Sequence, residues 1–207
     1  MITIHRALAV AAATLAFAAA LVDATPAIDA VTLAADIDAQ RDHISAPELA
    51  GRIMRADPSL RIFDLRSRAE YDALHIPTAN HATLDDLSRT ALPRNATIVL
   101  YSEGSAHAAQ GWVLLRLRGY RNAYFLREGI YEWIARVREP RLAVDATAAE
   151  RAEFEQAATL SRFFGGVART SVPRAEVPDG YWTGAPSRVE SSARTTQAIA
   201  AVRRRGC

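Results

Sequence analysis

The chain has 207 residues, 50% apolar and 23% charged, enough to bury one sizeable core and a small appendage. Its 25 cationic residues are all arginine, set against 23 acids. With the abundant alanine, this reads as the codon usage of a GC-rich bacterium rather than as chemistry. Arginines alternate with Asp and Glu, and the one sustained basic run is Arg203-Arg204-Arg205, so no nucleic-acid partner is expected.

The opening segment reads as an address. Met1 to Arg6 is a short cationic stretch, Ala7 to Val22 is an unbroken run of Ala, Leu, Val, Phe and one Thr, and small residues follow. That is the layout of a secretory signal peptide over 1–24, cut after Ala24, and it implies a periplasmic or secreted protein. Spanning a bilayer takes roughly 17–25 strongly apolar residues, so this Ala-rich run favours cleavage over anchoring and no stable span is expected afterwards. No cysteine follows the run, which excludes a lipoprotein. The single cysteine, Cys207, leaves the core to hold by packing without an internal disulfide.

Residues 25–42 are rich in Ala and Asp with weak periodicity and are expected to be a flexible lead-in. From Ser45 to Arg55 the positions of Leu49, Ile53 and Met54 predict a helix, with Ser45 as cap, Pro47 in the first turn and Glu48 three after the Ser. Leu60 to Leu65 predicts a buried strand, and Thr97-Ile98-Val99-Leu100-Tyr101 is the strongest strand signal in the chain. A helix is expected over Ala108 to Arg118, stopped by Gly119. A strand over Ala123 to Leu126 and a helix from Gly129 to Val137 follow. Alternating strands and helices imply an α/β fold with a central parallel sheet, and ligands in such sheets sit outside the strands' carboxyl ends.

Beyond Pro140 the character shifts. Thr147-Ala148-Ala149-Glu150 is a capping box, opening a helix to Phe163-Phe164 that stops at Gly165-Gly166. Its large apolar residues, Phe154, Leu160, Phe163 and Phe164, are expected to dock on the core. Val172 to Pro186 reads as a Pro/Gly-rich arm carrying Tyr181-Trp182, a pair suited to a protein contact. Ser187 to Arg205 is a candidate final helix. The division is therefore 1–24, 25–42, 43–141 and a C-terminal extension over 142–207.

The segment Ser102-Glu103-Gly104-Ser105-Ala106-His107 lies between the strongest strand and a helix, where backbone N–H groups and the helix dipole converge as a cradle for an anion. Here the chain resembles the rhodanese-like family, over about residues 43–141. Ile62-Phe63-Asp64-Leu65-Arg66 is similar to its strand ending in Asp-x-Arg. Glu70-Tyr71 with His75-Ile76-Pro77-Thr78-Ala79-Asn80 is similar to its Glu-Tyr…Gly-His-Ile-Pro-Gly-Ala motif. Gly119 to Tyr124 and Leu126 to Trp133 are similar to its closing Gly-Tyr…Val-x-x-Leu-x-Gly-Gly-x-x-x-Trp segment. The resemblance implies a three-layer fold with a central parallel sheet and a sulfurtransferase loop reading Cys-x-x-Gly-x-Arg.

This loop departs from that pattern, with Ser102 for the Cys, Ser105 for the Gly and His107 for the Arg. Sulfur transfer runs through a persulfide on a thiolate, and a serine hydroxyl can hold no transferable sulfur. The leading expectation is a catalytically inactive module that binds a partner protein or a small oxyanion. An alternative is a sulfurtransferase that uses Cys207, whose neighbouring arginines favour thiolate, as its sulfur carrier. A third is a hydrolase with Ser102 as nucleophile and His107 as base. In the family, Asp64, Arg66, Glu70 and His75 chiefly lock the strand end to neighbouring loops. His75 and His81 lack spaced partners, so neither a metal nor any other cofactor is expected.

Overall fold

A computed structural model describes residues 29–177. The signal-peptide segment, Tyr181-Trp182, the candidate helix over Ser187 to Arg205, and Cys207 lie outside the described residues. The described residues divide into two compact units, one made of residues 29–44 with 56–129, the other of 45–55 with 130–177.

The first unit is built on a five-stranded parallel sheet, ordered β1-β5-β4-β2-β3. Its strands are β1 (His43–Ile44), β2 (Leu60–Asp64), β3 (Ala79–His81), β4 (Thr97–Tyr101) and β5 (Ala123–Leu126). The central pair aligns Leu60 with Thr97 and Asp64 with Tyr101, so both strands end level with one another. Every residue of β4 after Thr97 is buried, which explains its unbroken apolar text. The fold expected from the sequence, α/β around a central parallel sheet, is the fold observed.

Among the described residues, four helices belong to this unit: α1 (Ala30–Asp38), α3 (Arg68–Ala73), α4 (Leu84–Arg89) and α5 (Ser105–Leu117). One core cluster joins Leu65, Leu87, Ile98, Leu100, Trp112, Leu115 and Phe125, with Leu33 and Leu84 packed against it. Trp112 is held in register by its indole N–H, which donates to the Ala123 carbonyl at 2.8 Å. Helices α3 and α4 are short and survive by capping. Ser67 with Glu70, and Thr83 with Asp86, each exchange side-chain and backbone hydrogen bonds across the first turn.

The lead-in differs from its sequence expectation. Residues 30–38 form a helix, opened by the Asp29 side chain accepting from the Thr32 N–H. It is tied down by the apolar contact of Leu33 and by an ion pair from Asp36 to Arg116. Both anchors are long-range, so local periodicity carries little trace of them.

The second unit contains α2 (Ala46–Met54), α6 (Gly129–Trp133) apart from its first residue, Gly129, which belongs to the first unit, β6 (Arg141–Ala143), α7 (Ala148–Phe163) and β7 (Arg169–Val172). Ser45 caps α2 as its sequence indicates, and the buried Glu132 carboxylate accepts from the Ala46 N–H at 3.0 Å. The helix expected to run from Gly129 to Val137 instead changes to a π-helical turn over Ile134–Arg138, closed by the Glu139 N–H on the Ile134 carbonyl. The Arg138 carbonyl then accepts from Ser161 Oγ and the Val167 N–H, beside Gly166. A Cβ at Gly166 would sit 1.9 Å from that oxygen, so this crossing admits only glycine.

Helix α7 opens with the capping box read from the sequence. Phe154 is buried among Ala143, Ala157, Ala158 and Val177, and Phe164 meets the Trp133 ring edge-on at 5.0 Å. Phe163 departs from the expected docking and is 58% exposed. Strands β6 and β7 pair in parallel, placing a strand end and a 3-10 turn (Arg174–Glu176) where only an extended arm was expected. Among the described residues, no helix is long and apolar enough to cross a membrane.

Candidate functional site

The site lies at the carboxyl end of β4. Ser102 follows Tyr101 directly and is 6% exposed, with Glu103 exposed beside it. Helix α5 starts at Ser105, three residues earlier than its apolar pattern suggests, because Gly104 serves as the N-cap. Gly104 has no side chain to satisfy the first N–H groups, and no side-chain cap hydrogen bond forms there. The first-turn amides of a 13-residue helix thus remain available at the loop.

A second turn fixes the loop's shape. The Glu128 N–H donates to Ser105 Oγ at 3.0 Å, so the serine in the family's glycine position stitches the loop to the turn after β5. Gly129, at φ +58, approaches so closely that a Cβ would lie 2.3 Å from the Ser102 carbonyl and 2.6 Å from that of Glu103. Loop carbonyls therefore face the turn. No hydrogen bond joins Ser102 to His107 among the described residues, and His107 is exposed in the first turn of α5.

Behind the loop, the residues singled out from β2 form a buried lock. Asp64 is fully buried and takes both Nε and Nη2 of Arg66, the latter at 2.6 Å, while its Oδ1 also accepts from the Arg66 N–H. The same guanidinium donates to the Leu74 carbonyl at 2.5 Å. Paired and hydrogen-bonded in this way, the two charges satisfy each other rather than presenting a free acid or base. Glu70 caps α3, and its carboxyl is held below the usual range first by the Ser67 hydroxyl and then by the Ser67 N–H. His75 accompanies the lock from outside, stacked on Tyr71 at 4.2 Å and bonded to the Tyr71 carbonyl.

Tyr101 is the participant the sequence reading missed. It is fully buried, its hydroxyl accepts from the Ile76 N–H at 3.1 Å, and Arg66 lies over its ring. Burial, above all, pushes its phenol well up from the ordinary value, so it serves as a neutral post. The available signal was a polar-tipped aromatic as the last residue of an otherwise aliphatic buried strand. Among the described residues, no group of three or more His, Cys, Asp or Glu is placed to hold a metal ion.

Residues 45–136 match the rhodanese-like domain family. The chain is 30% identical over 100 residues to the tRNA uridine(34) hydroxylase of Erwinia tasmaniensis, covering 44% of this chain but only 28% of that protein. Among solved structures it is similar to the Alr3790 protein of Anabaena sp., at 28% identity over 44% of this chain and 74% of that one, with a TM-score of 0.41. It is also similar to a human single-domain sulfurtransferase, at 25% identity over 45% of this chain and 95% of that one, with a TM-score of 0.38. With the Asp64–Arg66 lock, the β4–α5 loop and the glycine-bounded turn after β5, the segment 45–136 belongs to the rhodanese-like domain family.

Proposed function

We propose that this protein is an exported rhodanese-like module that binds a small oxyanion, or a partner protein, at the 102–107 loop without transferring sulfur. The observation that carries the reading is Ser102, buried at the end of β4 where the family resemblance places the nucleophile. Persulfide chemistry needs a thiolate, which a helix N-terminus helps to form from a thiol of near-neutral pKa. The serine hydroxyl is far harder to ionise and offers no sulfur to carry. The loop amides at the head of α5 nevertheless keep the orientation that favours negative charge.

The test is thiosulfate-to-cyanide sulfur transfer by residues 25–207, run beside Ser102→Cys and Cys207→Ser, with thermal shifts in sulfate, thiosulfate and phosphate. The expected result is an inert wild type, activity gained by Ser102→Cys, and stabilisation by at least one anion. A wild type that is active, and loses activity in Cys207→Ser, overturns the reading in favour of a relocated thiol. Inert protein that no anion stabilises removes the oxyanion version and leaves the partner protein.

A further inference from the structure

Helix α1 is seated on the first unit by few contacts. None of its residues is fully buried. Leu33 packs against the core cluster, and Asp36 accepts from Arg116 Nη2. Val31 and Ile37 stay 79% and 47% exposed. A helix of nine residues is too short to persist in water by itself, so α1 depends on that seat. The seat in turn depends on α1. The Arg116 side chain is 10% exposed, donates to the Arg121 carbonyl and lies over the Trp112 ring. Its Nε is buried without a partner among the described residues, and Asp36 is the acid that pairs with it. Lifting α1 away takes that anion from a guanidinium already short of one partner, so the seat favours being refilled.

The link from α1 back to the sheet is short and strained. Residues 39–42 join α1 to β1, with Gln40 at φ +52, a left-handed conformation unfavourable to a residue with a side chain. The fold-back is closed by the Gln40 N–H on the Ile37 carbonyl, the Arg41 N–H on the Asp36 carbonyl and the Arg41 guanidinium on the Asp36 carboxylate. Arg41 is 62% exposed, so that ion pair contributes little. An extended link releases the strain and carries α1 away from its own seat. A terminal element with a small self-contained seat, on a short strained hinge, meets the conditions for exchange between identical copies.

We propose that α1 is exchanged between two copies of this chain, with Leu33 and Asp36 of each copy seated on the Arg116 face of the other. The seat makes the same contacts in the closed and the exchanged forms, so the balance between them is set by the hinge and by concentration. The second copy is the occupant because its α1 already carries the apolar side chain and the carboxylate, three residues apart, that this face accepts.

Residues 25–207, kept reduced so that Cys207 links no copies, should dimerise with rising concentration in light scattering. Gln40→Gly relieves both closed hinges and should weaken the dimer by at least about tenfold. Charge reversal then identifies the element. Asp36→Arg and Arg116→Glu each place like charges at the seat, and each alone should be monomeric with the amides of 30–38 exchanging freely. Mixed, each copy supplies the charge the other lacks, and a one-to-one dimer with 30–38 protected should form. Both substitutions in one chain should behave as wild type. Deleting Gln40 and Arg41 leaves a link too short to fold back; it should give a dimer with 30–38 protected, and it carries the test if Arg116→Glu does not fold. Wild type that stays monomeric up to about 1 mM, the effective concentration of a short link, overturns the proposal. So does a mixture, or a deletion variant, that stays monomeric with 30–38 unprotected.

Discussion

Substituting Gly129 by alanine tests whether the turn after β5 shapes the candidate loop. Gly129 has φ +58, and an added Cβ would lie 2.3 Å from the Ser102 carbonyl oxygen, whereas real Cβ contacts essentially never fall below 3.0 Å. The two backbones must therefore part by about 0.7 Å, through the loop or through the turn. Left-handed backbone costs a non-glycine residue about 1–2 kcal/mol, and overpacking of this kind about 1–3 kcal/mol more. Gly129→Ala should thus lose about 2–5 kcal/mol in urea unfolding and weaken any anion binding at the loop. Gly165→Ala isolates the first contribution, since Gly165 has φ +68 and nothing within 4 Å of its added Cβ, so it should cost only about 1–2 kcal/mol. Gly104→Ala, with open space and no positive φ, carries no clash and should cost only the loss of a tolerated N-cap residue, below about 1 kcal/mol. If Gly129→Ala costs no more than Gly165→Ala, the close approach does not constrain the loop and the reasoning fails.

Asp64→Ala strands the Arg66 guanidinium in a buried site and should cost about 3–5 kcal/mol in chemical denaturation; a loss below about 1 kcal/mol would show that the pair is not a lock. Thr78 and Glu128 stand at φ +67 and +54, at positions where the family motif has glycine. Thr78→Gly should therefore raise stability by up to about 1 kcal/mol, strain relief exceeding glycine's entropic penalty, and destabilisation would contradict the strained geometry. The Arg174 guanidinium, followed by the Thr147 N–H, holds the Glu150 carboxyl down at about 2 against an ordinary 4.5. Its folded value lies below its unfolded one, so its stabilisation is complete above about pH 4.5 and is lost as pH falls toward 2. Carboxylate NMR of Arg174→Ala should show Glu150 titrating closer to 4.5, and an unchanged titration would refute the contact as the cause.

What the sequence made legible was the part written locally. The apolar run of β4, the Ser45 and Thr147 caps and the Asp64-x-Arg66 strand end all announce themselves within a few residues. The edge strands β1 and β3 are two and three residues long, too short for an alternating pattern to register, and exist because β5 and β2 pair with them. Helix α1 is held by Arg116, eighty positions away from Asp36. The π-turn at Ile134 depends on the Arg138 carbonyl meeting Ser161 and Val167, which no short window along the chain contains. At the site, the loop residues were legible but their fixings were not, since Ser105 is bound by the Glu128 N–H and Gly129 packs against the Ser102 and Glu103 carbonyls.

Those fixings separate the loop's shape from its chemistry. The bonds that define the loop run from Ser105 to Glu128, from the Leu65 N–H to the Tyr101 carbonyl, and through the contact with Gly129; none uses the side chain of residue 102. Exchanging an oxygen for a sulfur at that position changes volume little and leaves each of these bonds in place. The scaffold is therefore indifferent to the nucleophile, and this is why Ser102→Cys is a clean test. If it restores sulfur transfer, the pocket is formed and only the atom was exchanged. If the variant folds like wild type and stays inert, the altered electrostatics of Glu103 and His107 have also closed the route to the substrate, and the loop has moved to a different ligand.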